Sequence, residues 1–259
     1  LKATNDKGVL NMEEEKLTTD EMVLCDRLRR MKFSAMATAL EDMLLDPLSP
    51  NRTFEEKITD LINSEWNKRT EKRFLKLLSK ANLKFTDAAF DDKIKNPERN
   101  IDMQLFSRLI TCDWIREGRV LIITGKTGTG KSYLACAFAI LAMRKDYSAF
   151  YVSANRLQEM ADLADREGDF LSFCDKMTKV DLLIIDDFGL MTLDSTKCMR
   201  LFTILDAREK RKATLVTSQI PVKDWYETFS DMTYADACLD RLAKGSFRIA
   251  LEGPSLRPE

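Results

Sequence analysis

One run of eight residues limits what this chain can fold into. Residues 125–132 read Gly-Lys-Thr-Gly-Thr-Gly-Lys-Ser. Three glycines so close together suit neither a helix nor a strand. They let the backbone turn sharply and bring its N–H groups close to a ligand. The apolar, β-rich Val-Leu-Ile-Ile of residues 120–123 precedes the run, and a helical pattern over 131–144 follows it. Strand, glycine loop and helix in that order satisfy every fixed position of G-x-x-x-x-G-K-[ST]. Such a loop cradles phosphate between its N–H groups and the positive end of the helix. Gly125, Lys126, Thr127, Gly128, Thr129, Gly130, Lys131 and Ser132 are therefore the candidate nucleotide-binding residues. Lys131 is placed to neutralise the β- and γ-phosphates and Ser132 to ligate Mg²⁺, which makes ATP and Mg²⁺ the expected cofactors.

A second element lies 55 residues beyond Lys131 (186 − 131 = 55), where Leu182-Leu-Ile-Ile is followed by Asp186-Asp187. Four apolar residues predict a buried strand that delivers two carboxylates at its C-terminal end, the edge at which open α/β sheets bind ligands. Asp186 is the candidate second Mg²⁺ ligand, and Asp187 the residue that orients the attacking water. A further strand ends in Thr217-Ser218-Gln219, and Gln219 is the expected contact to a γ-phosphate.

Strand and helix patterns alternate through the second half of the chain. Strands are expected over 119–124, 149–153, 180–186, 213–218 and 247–251. Helices are expected over 103–117, 131–144, about 154–177 and 195–211, with helical pattern around 224–229 and 234–242. Five strands alternating with helices predict an α/β fold, a parallel sheet covered on both faces. Ahead of it the pattern is helical over 19–45 and again from Thr53, where Glu56 completes a capping box. The expected organisation is a frayed stretch over 1–19, a helical module over 20–82, a connector over 83–102 and the nucleotide domain over 103–259.

Composition removes whole reaction classes. The chain has no histidine among 259 residues, which excludes Ser-His-Asp and Cys-His catalysis and histidine-ligated metals. Its six cysteines form no Cys-x-x-Cys pair and read as buried, reduced thiols. Lys+Arg number 41 and Asp+Glu 42, so any basic surface must be local. No apolar run is long enough to span a membrane, and a cytoplasmic protein is expected.

These elements, in this order, resemble the AAA+ ATPases. Other segments narrow the resemblance: Leu28-Arg-Arg-Met31 through Ala37-Thr-Ala-Leu40-Glu41, Cys112-Asp-Trp-Ile-Arg-Glu-Gly118, Ala235-Asp-Ala-Cys-Leu-Asp240-Arg241-Leu242, and Arg248-Ile-Ala-Leu-Glu-Gly253-Pro-Ser255-Leu-Arg257. They are similar to the IstB-like helper ATPases of bacterial insertion sequences, over about residues 24–257. The resemblance implies an AAA+ core that multimerises on double-stranded DNA, deforms it, and recruits and stimulates a cognate transposase. Nucleotide would sit between subunits of a homo-oligomer, with Arg241 matching the arginine that a neighbour contributes. Asp236 and Asp240 stand near enough in sequence to pair with that arginine instead. Two departures from many AAA+ proteins are visible. Asp187 replaces a longer glutamate, which leaves room for slow turnover. Eight residues follow Leu251, so no C-terminal helical lid is expected.

Between Lys68 and Lys84 seven residues are basic and one, Glu71, is acidic. Lys68, Lys72 and Lys76 recur every fourth residue with Arg69 and Arg73 beside them. They form a basic stripe opposite Phe74, Leu77, Leu78 and Ala81, a candidate track for DNA phosphates. Replicative helicase loaders share much of the same core, and a loader remains the alternative reading. A nucleotide-gated scaffold that scarcely hydrolyses ATP also stays open, whereas a small-molecule kinase is disfavoured without a lid.

Overall fold

The computed structural model describes residues 16–256, so most of the stretch expected to fray and the final Arg257 lie outside the described residues. The chain divides into two compact units, residues 1–72 and 73–259. The first is helical. Helix α1 spans Thr19–Arg30 and α2 Ser34–Leu44. The sequence pattern read as one helix through this region, but the structure breaks it at Lys32, whose φ is 66°. The Phe33 N–H reaches back to the Leu28 carbonyl at 2.9 Å, and the Lys32 N–H to that of Arg29 at 2.9 Å. This is a Schellman-type stop with lysine where glycine is usual, so no glycine marks it in the sequence.

Helix α3 spans Phe54–Leu78. The expected capping box is present, with Thr53 N donating to Glu56 Oε2 at 2.8 Å and Glu56 N to Thr53 Oγ1 at 3.2 Å. Phe54, Ile62 and Trp66, which helped mark this helix in sequence, are not buried (Trp66 is 68% exposed). A different face of α3 meets the start of α2. Glu65, nearly buried, accepts from Ala35 N at 2.9 Å, Met36 N at 3.3 Å and Arg69 Nε at 2.7 Å. Phe33 precedes α2 and offers no side-chain cap, so Glu65 supplies one from another helix.

The second unit begins within α3, whose Phe74 is buried under the Arg144 guanidinium. The stretch read as a loose connector packs closely here. Ala88 and Ile94 are buried, and just ahead of the stretch the carbonyl of buried Ala81 accepts from Tyr151 N at 2.8 Å. Short helix α4 (Asp92–Lys95) and α5 (Met103–Leu109) follow, then α6 (Asp113–Arg116). A single helix was expected over 103–117; Cys112, at φ 64°, divides it.

The core then alternates β1 (Val120–Gly125), α7 (Lys131–Arg144), β2 (Ala149–Ser153), α8 (Ala154–Arg166), α9 (Phe170–Lys179), β3 (Leu182–Phe188), α10 (Ser195–Arg208), β4 (Ala213–Ser218), α11 (Met232–Ala243) and β5 (Phe247–Leu251). The five strands pair in parallel in the order β2-β3-β4-β1-β5. The helical pattern after β2 is two helices, separated at Gly168 (φ 74°). Successive residues of each central strand enter opposite layers. Leu121, Ile123 and Ile184 join the layer of Phe138, while Ile122, Ile185 and Val216 join that of Leu201 and Trp225. Burial on both faces explains why these strands read as unbroken apolar runs. The glycine loop, both aspartates and Gln219 follow from the C-terminal ends of β1, β3 and β4. All six cysteines are buried free thiols. No helix among the described residues is long and apolar enough to cross a membrane.

The Arg69 guanidinium, with help from the two α2 amides, holds the Glu65 carboxyl below its ordinary value of 4.5. A depressed carboxyl stabilises the fold fully above that ordinary value, and the contribution is lost as pH falls through the folded value. Glu65→Gln is expected to cost about 1–3 kcal/mol near neutral pH, with faster exchange of the Ala35 and Met36 amides. The difference from wild type should shrink in melts below pH 4.5.

Candidate nucleotide site

The glycine loop joins β1 to α7. Gly128 takes φ 84° and Gly130 φ 96°, left-handed values at which a side chain is strained. Within the loop Thr129 Oγ1 donates to the Lys126 carbonyl at 2.8 Å, and Lys131 Nζ donates to the same carbonyl at 2.9 Å. Lys131 is buried, and its ammonium therefore lies across the loop it belongs to. Ser132, in the first turn of α7, lies against the end of β3. Its Oγ is 2.9 Å from both Asp186 oxygens. The two motifs read separately in the sequence thus meet at one hydroxyl–carboxylate contact.

Asp186 is 1% exposed. A carboxylate so deep needs hydrogen-bond partners in place of water. Besides Ser132, the Tyr151 hydroxyl from β2 and Thr217 Oγ1 from β4 both donate to it. Burial, followed by the bond to Asp186, raises the Tyr151 hydroxyl far above its usual value, so it stays a neutral donor. Ser132 and Asp186 together present only oxygen atoms, the donor set that a hard cation such as Mg²⁺ requires.

Asp187 is set apart by a bulge. Ile185 pairs with Val216 and Phe188 with Ser218, so Asp186 and Asp187 together face the single residue Thr217. Asp187 has φ 55°, and its N–H donates to Thr217 Oγ1 at 3.1 Å. The extra residue turns the second carboxylate out of the sheet. Asp186 stays buried beside Ser132, whereas Asp187 lines a cavity of about 460 Å³ with Thr127, Gly128, Lys131, Ser132 and Gln219. Gln219 Oε1 accepts from Thr127 Oγ1 at 2.6 Å, which ties the end of β4 to the loop. The size suits a nucleotide-scale ligand.

The same cavity is lined by Lys84, Phe85, Asp87, Tyr133 and Leu256, none of which the sequence reading assigned to the nucleotide site. Phe85 and Tyr133 meet edge to face at 5.6 Å. Tyr151 was also missed. A tyrosine in a β-rich run carries no signal until the β2–β3 register places it beside β3.

Arg241 does not join these residues in its own chain. Its guanidinium donates to Asp206 and to the Ala237 carbonyl, and lies 4.5 Å from the centre of the Phe202 ring. The acids near it in sequence pair elsewhere, Asp236 with Tyr226 at 3.0 Å and Asp240 with Lys244 at 3.1 Å. Arg241 lines a separate cleft with Arg119, Lys212 and Lys244. The five basic candidates on α3 are all exposed. Arg69 is paired with Glu65, Arg73 with Asp146 at 2.9 Å, and Lys68 Nζ donates to Ser34 Oγ at 3.1 Å.

Residues 26–259 match the family model described as IstB-like ATP binding protein. The chain belongs to the IstB-like family. A putative insertion sequence ATP-binding protein of Sinorhizobium fredii, y4pL, is 37% identical over 232 residues, covering 90% of this chain and 94% of the relative. The putative ATP-binding protein of insertion sequence IS1162 from Pseudomonas fluorescens is 35% identical over 195 residues, covering 75% and 84%. Among solved structures, DnaI superposes with a TM-score of 0.52 at 18% identity, covering 68% of this chain and 93% of that one. The fold of this IstB-like chain is the AAA+ P-loop fold, and the family is one of insertion-sequence ATP-binding proteins.

Thr217 holds both aspartates through one hydroxyl. Thr217→Val keeps the shape and removes that bond to each. The expected result is a loss of about 10–100-fold in Mg²⁺ affinity or turnover, as for other residues that orient metal ligands. A Mg²⁺ titration of ATP binding and hydrolysis, with circular dichroism to verify folding, reads this directly.

Proposed function

We propose that this protein is a Mg²⁺-dependent ATP hydrolase that multimerises on double-stranded DNA, deforms it, and recruits and stimulates a cognate transposase during insertion-sequence transposition. One observation carries the reading. Lys131, Ser132, Asp187 and Gln219 line one cavity, while Arg241 lies elsewhere in the chain. Among the described residues, the lining of this site supplies a cation, oxygen ligands and a water-orienting acid, but no arginine to meet charge developing on the γ-phosphate. A second copy supplying Arg241 completes it, so hydrolysis and assembly become one event.

In this mechanism the loop amides and Lys131 hold the β- and γ-phosphates. Ser132 and Asp186, the latter held in place by Tyr151 and Thr217, would hold Mg²⁺. Bound Mg²⁺ supplies neutralisation of phosphate charge. Asp187, turned outward by the bulge, orients the attacking water. Gln219 leaves Thr127 and takes the γ-phosphate. The neighbour's Arg241 leaves Asp206 and stabilises the transition state.

A mixing experiment tests the shared site. Lys131→Ala and Arg241→Ala are each expected to lose about a thousandfold or more in hydrolysis. Arg241→Ala should still bind ATP. Equal mixtures of the two variants should regain part of the activity, because some interfaces then hold an intact loop facing an intact arginine. Mixtures as inactive as either variant alone would remove Arg241 from the shared site.

The DNA part rests on α3. Lys72 and Lys76 are exposed, whereas Arg69 and Arg73 already meet acids. Lys72→Glu with Lys76→Glu should weaken duplex binding and flatten its salt dependence by about two ions. Arg69→Gln with Arg73→Gln should have a smaller effect. Gel shifts on a duplex with ATP, ADP and a non-hydrolysable analogue, read beside oligomer size, decide this. ATP-dependent, sequence-tolerant multimers support the proposal. Nucleotide-dependent capture of a replicative helicase without duplex binding would instead favour a loader.

A further inference from the structure

The segment after β5 runs over the glycine loop. Leu256 N donates to the Gly128 carbonyl at 2.8 Å. Ser255 occupies the space beside Gly128, where an added Cβ would lie 2.2 Å from the Ser255 Oγ. The Leu256 side chain lines the same cavity as Lys131, Ser132 and Asp187. This stretch is therefore part of the wall of the nucleotide site.

A single buried residue fastens it. Arg99 is 1% exposed. Its Nη1 donates to the carbonyls of Pro254 at 2.9 Å, Glu252 at 3.0 Å and, at 3.4 Å, Thr129 of the glycine loop. Its own carbonyl accepts from Glu252 N at 3.3 Å. Gly253 passes so near that an added Cβ would sit 3.0 Å from the Glu98 carbonyl. One guanidinium thus joins three separate parts of the chain: the turn at 97–99, the glycine loop and the segment beyond β5. Among the described residues its hydrogen bonds go to carbonyl oxygens alone, and its Nε meets no partner. A buried cation offset only by carbonyl dipoles is costly. An anion bound at the neighbouring loop would reduce that cost, and the cation would in turn favour the anion.

We propose that Arg99 and the segment Glu252–Leu256 form a clasp that belongs to the ATP site. Arg99 is a positioning residue that holds the glycine loop in its phosphate-binding shape, and Leu256 packs against the bound nucleotide. The clasp rests on the ATP-binding reading of the loop and goes beyond it by adding residues outside every nucleotide motif. Its Leu256 lines the same cavity as Phe85 and Tyr133.

The test is a titration of the full chain with a fluorescent ATP analogue, beside thermal melts without nucleotide. Variants are Arg99→Met, Arg99→Lys, Leu256→Asp and a chain ending at Glu252. The truncated chain and Arg99→Met should bind about tenfold or more weakly, the scale of losing a charged hydrogen-bond network. Arg99→Lys should be intermediate, because it keeps the positive charge but not the planar guanidinium that places Nη1 among the three carbonyls. Leu256→Asp changes an exposed side chain at the cavity and should weaken binding with no change in melting temperature. If Arg99→Met fails to fold, Leu256→Asp and the truncation decide the matter. Lys131→Ala, measured alongside, separates the two readings. Equal binding by Lys131→Ala and wild type would remove the ATP site itself. Weak binding by Lys131→Ala with wild-type or tighter binding by the truncated chain would overturn the clasp alone.

Discussion

The buried carboxylate of Asp186 organises the nucleotide domain. It sits where α7, β2 and β4 converge on the end of β3, and a hydroxyl reaches it from each of them: Ser132, Tyr151 and Thr217. A carboxylate deprived of water is tolerated only when such donors are present, and removing one leaves a costly gap. The arrangement therefore constrains the sheet. A one-residue slip of β2 or β4 against β3 would send Tyr151 or Thr217 to the opposite face and leave Asp186 short of a partner. The same cluster brings Ser132 to the carboxylate, so the register that satisfies the core is also the register that assembles the proposed metal-binding pair. Stability and function share one contact here, and the bulge at Asp187 separates them again by giving the second acid to the cavity.

How much of this was legible in the sequence follows from what each signal encodes. The glycine loop, Asp186 and Asp187, and the five strands could be read because each is local: fixed spacing, or an apolar run bounded by polar residues. Helix breaks at Lys32 and Cys112 were not, since a non-glycine residue holds the left-handed turn in both places. Tyr151, Phe85, Tyr133 and Arg99 were missed for another reason. Their roles depend on which strand lies beside which, and on a stretch rich in polar residues packing against α7 and β2. Polar composition between 83 and 102 suggested a connector, yet Ala88 and Ile94 sit in the core and Arg99 under the loop. Sparse apolar residues suffice when most of them pack against the core. Phe54 and Trp66 show the converse, since helical spacing of apolar residues marks a helix without fixing which face is covered.

Local charge resolves what net charge could not. The chain is almost neutral, and the basic stripe on α3 looked uniform in sequence. Its members differ in circumstance. Arg69 is committed to Glu65 and to the Lys32 carbonyl, and Arg73 to Asp146. Exposed ion pairs are weak, so these arginines are not lost to a stronger anion, but exchanging partners returns less free energy than a bare cation would. Of the five, Lys72 and Lys76 are the better placed for a phosphate track.

The chain also offers a short physical path between the γ-phosphate position and the proposed interface. Gln219 ends β4 and bonds Thr127 of the loop. Beside it, Ser218 Oγ donates to the Phe188 carbonyl at 2.7 Å and accepts from Trp225 Nε1 at 3.2 Å. Trp225 is fully buried, packs on Phe188 and lies in the turn that leads into α11, the helix that carries Arg241. A shift of Gln219 toward phosphate would have to be absorbed within this compact stretch, because neither Ser218 nor Trp225 has free volume in which to yield. Continuity of contact is a precondition for coupling and is not coupling itself. The residue proposed to sense nucleotide and the residue proposed to complete a neighbour's site are joined by about two dozen residues with a buried aromatic at the middle. In the proposed assembly, nucleotide in one subunit would then alter how firmly that subunit's Arg241 is held by Asp206, which is the step a chain of subunits needs if occupancy at one interface is to influence the next.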